Sequence, residues 1–169
     1  MKARALAICA LAAILAGCVI YTFVDLGPWD FDSATTVANP FSTSVDNPWV
    51  VQNYGGRDSS PCLKSATLWT MGETSTLTLT YEGGLDDDKD LSFYLRINGS
   101  GSIALRINGF LEESYDNSGY GYYSTITKVN VYDSSKYKSS GTNVLTWTFT
   151  CTDDYTDAYA ILDEIEIDG

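Results

Sequence analysis

Leu145-Thr146-Trp147-Thr148-Phe149-Thr150-Cys151 alternates bulky or apolar residues with threonine at every position. Only an extended chain sends every second side chain to the same face, so this stretch is a strand with one greasy side and one hydroxylated side. The same beat recurs upstream. Ser75, Leu77, Leu79 and Tyr81 alternate with Thr74, Thr76, Thr78 and Thr80. Leu91, Phe93, Leu95 and Ile97 alternate with Ser92, Tyr94 and Arg96, and Ile103, Leu105 and Ile107 with Ala104 and Arg106. This is the pattern of half-buried antiparallel strands.

Turn residues separate the runs: Gly83-Gly84, Asn98-Gly99-Ser100-Gly101, Asn108-Gly109 and Ser140-Gly141. Each supplies positions that tolerate positive φ. Arg-Ile-Asn-Gly occurs at 96–99 and again at 106–109, which reads as two consecutive hairpin ends. No segment carries helical spacing. The expected fold class is therefore all-β: nine or ten short strands in a two-sheet antiparallel β-sandwich, a jelly roll, spanning residues 28–169. Trp29, Trp49 and Trp147 are expected in its core, while Trp69 fits core or surface.

The chain begins differently. Lys2 and Arg4 precede an apolar run from Ala5 to Ala16, which ends in Leu15-Ala16-Gly17-Cys18. A basic start, a short apolar stretch and small residues at its end form a secretory signal. Leu15-Ala16-Gly17-Cys18 resembles the lipobox of bacterial lipoproteins. The resemblance implies cleavage before Cys18, lipidation of its thiol and acylation of the new amino terminus. Residues 1–17 are then the signal peptide and 18–27 the lipidated anchor and spacer. The alternative is an uncleaved span, since Ala5 to Val24 is long enough to cross a bilayer. Both readings put the body in the cell envelope, outside the cytoplasm, with a membrane as its first partner. Val19 lacks the Asp that resembles an inner-membrane retention signal, so the outer membrane or cell surface is the expected address in a diderm cell.

Taking the 17-residue leader from 169 leaves 152 residues, enough for one domain with a substantial core. The net charge is -12, and the leader holds two cations and no acid, so the remainder stands near -14. Such a surface repels nucleic acid and anionic headgroups alike, so lipid rather than charge must tether it. Histidine is absent, which removes the commonest general base and the usual zinc ligand. Cys9 leaves with the leader and Cys18 carries lipid. Cys62 and Cys151 remain as a disulfide in an oxidising compartment, or as two buried free thiols. A disulfide would close a loop of about ninety residues, worth up to roughly 4–5 kcal/mol.

Several fragments resemble the jelly-roll accessory domains of bacterial surface proteins, related to MAM and concanavalin A-like domains and to carbohydrate-binding modules. They are Trp29-Asp30-Phe31-Asp32, Pro48-Trp49-Val50, Leu91-Ser92-Phe93-Tyr94, Leu145-Thr146-Trp147-Thr148-Phe149 and Ala160-Ile161-Leu162-Asp163-Glu164-Ile165. The resemblance implies binding rather than catalysis, and first and last strands lying side by side. It also implies a structural Ca²⁺ held by Asp30 or Asp32 with Asp163, through oxygen ligands suited to a hard cation. Asp163 shares the parity of Ile161, Ile165 and Ile167 and is expected to point inward. The alternative is an aspartate bonded to backbone N–H groups at a bulge.

Three further groups are candidates. Asp86-Asp87-Asp88-Lys89-Asp90 lacks the spacing of an EF-hand loop and reads as a solvated hairpin tip. Glu164, Glu166 and Asp168 would share one face of a strand and resemble, in mirrored order, the carboxylates of family 16 glycoside hydrolases. A charged edge strand explains them better, and no catalytic residue is assigned. The third group is a tyrosine-rich loop with Tyr115, Tyr120, Tyr122 and Tyr123, whose Tyr, Ser, Gly and Asn content suits recognition. Tyr94, Arg96 and Arg106 would extend its surface from adjacent strands. The expected function is a lipid-anchored, extracytoplasmic binding module for glycan or another cell-surface component. The alternative is an envelope structural or protein-interaction lipoprotein.

Overall fold

The computed structural model describes residues 26–82, 90–117, 125–132, 135–138, 141–154 and 157–168. The leader, Cys18, most of the acidic run, and Tyr120, Tyr122 and Tyr123 lie outside the described residues.

Among the described residues, eleven strands form two antiparallel sheets, a β-sandwich. Sheet A runs β3 (Val50–Gln52), β4 (Cys62–Lys64), β11 (Tyr159–Asp168), β6 (Asp90–Asn98) and β9 (Thr127–Val131). The first strand, β1 (Leu26–Trp29), also pairs with β11, so the first and last strands do lie side by side. Sheet B runs β2 (Phe41–Thr43), β5 (Thr74–Glu82), β10 (Thr142–Cys151), β7 (Gly101–Ile107) and β8 (Phe110–Asp116). The only helical element described is a 3-10 turn at Arg57–Ser59.

The alternation read from β5, β6, β7 and β10 places Leu77, Leu79, Leu95, Ile97, Ile103, Leu105, Leu145 and Phe149 between the sheets, with no solvent exposure. Each such side chain stabilises the fold by about 1.5–3 kcal/mol before entropy is counted. Phe93 bridges the layers, with its ring edge-on to Trp147 at 5.8 Å and to Tyr115 at 6.0 Å between centroids. Trp49 and Trp147 are buried, Trp29 packs at the margin of the core and Trp69 is exposed. The threonines of β5 and β10 line the outer face of sheet B, where Thr76 and Thr148 hydrogen-bond across strands at 3.2 Å.

Four sequence expectations are corrected. First, the two Arg-Ile-Asn-Gly repeats end differently. At 106–109, Ile107 faces Phe110 across a two-residue turn in which Asn108 (φ 51) and Gly109 (φ 86) are both left-handed, a true hairpin. At 96–99, the chain crosses from sheet A to sheet B instead. Arg106 is therefore on the opposite sheet from Tyr94 and Arg96, and the three cannot share a surface.

Second, β11 is an interior strand, flanked by β6 on one side and by β4 and β1 on the other. Edge protection cannot explain its carboxylates. Third, β11 is bulged between Asp163 and Glu166, with Glu164 at φ 45. The extra residue shifts the phase, so Leu162, Ile165 and Ile167 face the inter-sheet core. Asp163 and Ile161 turn to the outer face, where a loop buries them.

Fourth, Cys62 and Cys151 are free thiols. Cys151 sits in the inter-sheet core at the end of β10, and its Sγ lies 3.0 Å from the Asp153 carbonyl. Cys62 belongs to the other sheet, where its neighbour Leu63 takes the core-facing position. Its thiol faces the outer side, 3.5 Å from the Tyr54 carbonyl. Two packed sheets stand about 10 Å apart, beyond the reach of a disulfide between these positions.

Candidate functional site

The outer face of sheet A is shaped by the strap of residues 53–60, which folds back over it. Asp163 anchors the strap. Its Oδ2 accepts hydrogen bonds from the Arg57 backbone N–H (2.8 Å) and the Ser60 hydroxyl (2.9 Å), and its Oδ1 from the Glu164 N–H (2.9 Å). Burial raises the Asp163 carboxyl above its usual range, although these three donors favour its charged form. Gly56 makes the close approach possible, because a Cβ there would press on Asp163 and come within 2.8 Å of the Ser60 hydroxyl. Burial beneath the strap, with Asp163 nearby, pushes the Cys62 thiol up to about 11.

The strap also delivers Arg57. Its Nη1 donates to Glu164 Oε2 at 2.7 Å and to the Tyr94 hydroxyl at 3.3 Å, and its guanidinium carbon stands 5.2 Å from the Tyr94 ring centre. Glu164, foremost, and Tyr94 hold this guanidinium more firmly protonated than usual. Alongside, the Lys64 ammonium caps the Tyr159 ring at 4.1 Å. The register packs these groups closely: Tyr94 lies between Asp163 and Lys128, and Ile161 lies between Lys64 and Arg96. With strands about 4.8 Å apart, four cations and two tyrosine rings share a patch a few strands wide. Tyr54, in the strap, is exposed.

Tyr94 and Arg96 thus belong to one face, as expected from their parity, and Arg57, Lys64, Lys128 and Tyr159 join them. Their one signal in sequence is outward alternation on strands whose neighbours are set by topology. Arg57 gave no periodic signal at all, since it lies in a loop. Tyr115 is a correction. Only 6% exposed, it packs on Phe93 and presents no recognition surface.

The aspartates considered as calcium ligands have these partners. Asp30 Oδ1 accepts the Asp32 N–H at 3.2 Å, whereas Asp163 is filled by the strap's donors. Among the described residues, no three cysteine or acidic side chains gather as a metal would require. The carboxylates of β11 are also split by role: Glu164 is ion-paired to Arg57, and Glu166 follows beyond the bulge. A concavity of about 170 Å³ opens beside Trp29, Phe31, Val37, Pro40 and Phe41, and is mostly apolar.

No family model and no curated protein sequence matches the chain. Solved structures of similar fold do exist. The K3 adhesin domain of Lys-gingipain from Porphyromonas gingivalis aligns with a TM-score of 0.61 at 15% identity, covering 86% of this chain and 99% of that one. A carbohydrate-binding module of Caldicellulosiruptor saccharolyticus, CBM27-1 with mannohexaose, aligns at 0.60 and 11% identity over 86% and 97%. TmCBM61 with beta-1,4-galactotriose aligns at 0.54 and 13% identity over 85% and 96%. This chain spans only 26% of an arabinofuranosidase, MgGH51, to which it is also similar. At these identities the likeness is one of fold.

Proposed function

We propose that this protein is a glycan-binding module displayed on a lipid anchor in the cell envelope, and that sheet A's outer face is its binding surface. One observation carries the reading: tyrosine rings and cations are pre-positioned on that face, with Arg57 against Tyr94 and Lys64 against Tyr159. Sugars stack apolar ring faces on aromatics, while charged and amide groups take their hydroxyls. The fold is shared with modules solved in complex with galactotriose and mannohexaose, which supports the assignment. The Leu15-Ala16-Gly17-Cys18 sequence supports the anchor.

The test is affinity electrophoresis of the full chain in detergent through a panel of polysaccharide gels. Retardation by at least one polysaccharide should weaken about tenfold in Tyr94→Ala and Tyr159→Ala. Retardation unchanged in both variants would exclude this face. For the anchor, metabolic labelling with palmitate should mark the wild type and not Cys18→Ala. A second reading, docking of an envelope protein, rests on β8, an edge strand whose Phe110 and Leu111 are exposed. Stoichiometric co-purification lost in Phe110→Ser would favour it.

A further inference from the structure

We infer that the ligand of this face is an anionic glycan, one bearing carboxylate or sulfate ester groups along its chain; the inference rests on the glycan-binding reading. Ten Lys and Arg residues stand against twenty-two acids in the sequence. In so acidic a protein a basic side chain readily finds a carboxylate. Of the eight cations beyond the leader, four (Arg57, Lys64, Arg96 and Lys128) gather on this one face. Three of those, Lys64, Arg96 and Lys128, have no ion pair among the described residues.

Arg96 is the clearest case. Its Nε is buried without a hydrogen-bond partner, and its Nη2 lies 3.3 Å from where a Cβ on Gly55 would stand. The half-buried guanidinium is therefore held against the strap by packing, with its Nε covered. A planar guanidinium matches a carboxylate or sulfate in two-point geometry, and a fixed one spends little entropy on doing so. Lys64 and Lys128 flank it, one strand beyond Ile161 and one beyond Tyr94 respectively, so successive anionic groups on an extended chain would each meet a cation. Glu164 and Glu166 lie farther along β11 and close the face to anions at that end. The result is a local cationic field on an anionic body, which steers an acidic polymer to one place and repels it elsewhere.

Full-length protein in detergent is titrated with polygalacturonate, dextran sulfate, neutral galactan and neutral mannan at low salt and at 0.5 M NaCl. At least one anionic polymer should bind ten times more tightly than either neutral one, and lose that advantage at high salt. Arg96→Gln and Lys128→Gln should each weaken it about fivefold or more. Arg106→Gln, a cation on the opposite sheet, should not. Preference for a neutral polymer, or equal losses in Arg106→Gln and Arg96→Gln, would overturn the anionic assignment and leave glycan binding standing. No binding to any of the four would remove both. Which anionic polymer binds separates carboxylate from sulfate recognition.

Discussion

Arg57 stands over Tyr94 with its guanidinium carbon 5.2 Å from the ring centre, although the two are thirty-seven positions apart in sequence. The same guanidinium is ion-paired to Glu164 at 2.7 Å, so one loop side chain ties together two strands of sheet A. Cation and carboxylate are both partly exposed, and such pairs contribute little to stability. Their effect is positional. Arg57→Ala should leave the melting temperature within a degree or two of wild type while lowering polysaccharide affinity about tenfold, as read by affinity electrophoresis. A large drop in melting temperature would make Arg57 a structural strut rather than part of a binding face.

Asp163 gives a pH signature. Its carboxyl is raised in the folded state, chiefly by burial. The folded protein then holds a proton that the unfolded chain has already released. Stability from this group is present below the unfolded value and is lost as pH rises through the folded one. Asp163→Asn has no such titration. Urea midpoints measured from pH 3 to pH 7 should show the wild type losing ground to the variant as pH rises. A gap independent of pH, or one moving the other way, would refute the raised carboxyl.

Much of the fold was legible because it rests on local alternation. The runs around Leu77, Phe93, Leu105 and Trp147 each declare their buried face within seven or eight residues, and packing of two greasy faces does the rest. What failed was non-local. Nothing in Asn98-Gly99-Ser100-Gly101 distinguishes a hairpin from a crossing between sheets, so alternation alone puts Arg106 beside Arg96, whereas it lies across the core. The bulge at Glu164 inverted the parity of Asp163, because a single inserted residue leaves no compositional trace. Tyr94 and Arg96 were legible as outward positions. Arg57 was not, since a loop residue gains its place only from the strap that Asp163 holds down.

The thiols offer a direct check on topology. Cys62 is wholly buried and its thiol is pushed up to about 11, so it has almost no thiolate at pH 8. Iodoacetamide at that pH should leave Cys62 and Cys151 unmodified in the native protein. Both should be alkylated in denaturant without any reductant, as scored by peptide mapping. A linked Cys62–Cys151 peptide pair would contradict the separation of the two residues onto different sheets.

Gly101 begins β7 with no room for a side chain. A Cβ there would drive into the edge of the Phe149 ring and lie 3.1 Å from the Thr150 carbonyl. The partner strand β10 cannot retreat, because β5 pairs along its other side from Thr142 to Thr150. Gly101→Ala should therefore destabilise by about 1–3 kcal/mol through overpacking, whereas Gly109→Ala meets no neighbouring atom and suffers only from its left-handed φ. Chemical denaturation of both, with Gly101→Ala/Phe149→Leu as the rescue, checks the assignment. A double variant that loses as much as the two single substitutions summed would place the clash elsewhere.

Glu164 combines a strained backbone with a partner that needs it there. At φ 45 an L-residue with a long side chain costs about 1–2 kcal/mol relative to ordinary strand geometry, whereas glycine adopts that angle without penalty. Strand propensity alone ranks alanine above glycine at any regular position. At this bulge the order should reverse, with Glu164→Gly at least as stable as wild type and Glu164→Ala below both. Each substitution frees Arg57 and removes the same carboxylate from the face, so both should change glycan retention by the same factor despite their different stabilities. That separation of stability from binding is what a strained residue kept for function produces. If Glu164→Ala proved the more stable of the two, the left-handed bulge would be wrong, and with it the turning of Asp163 to the outer face.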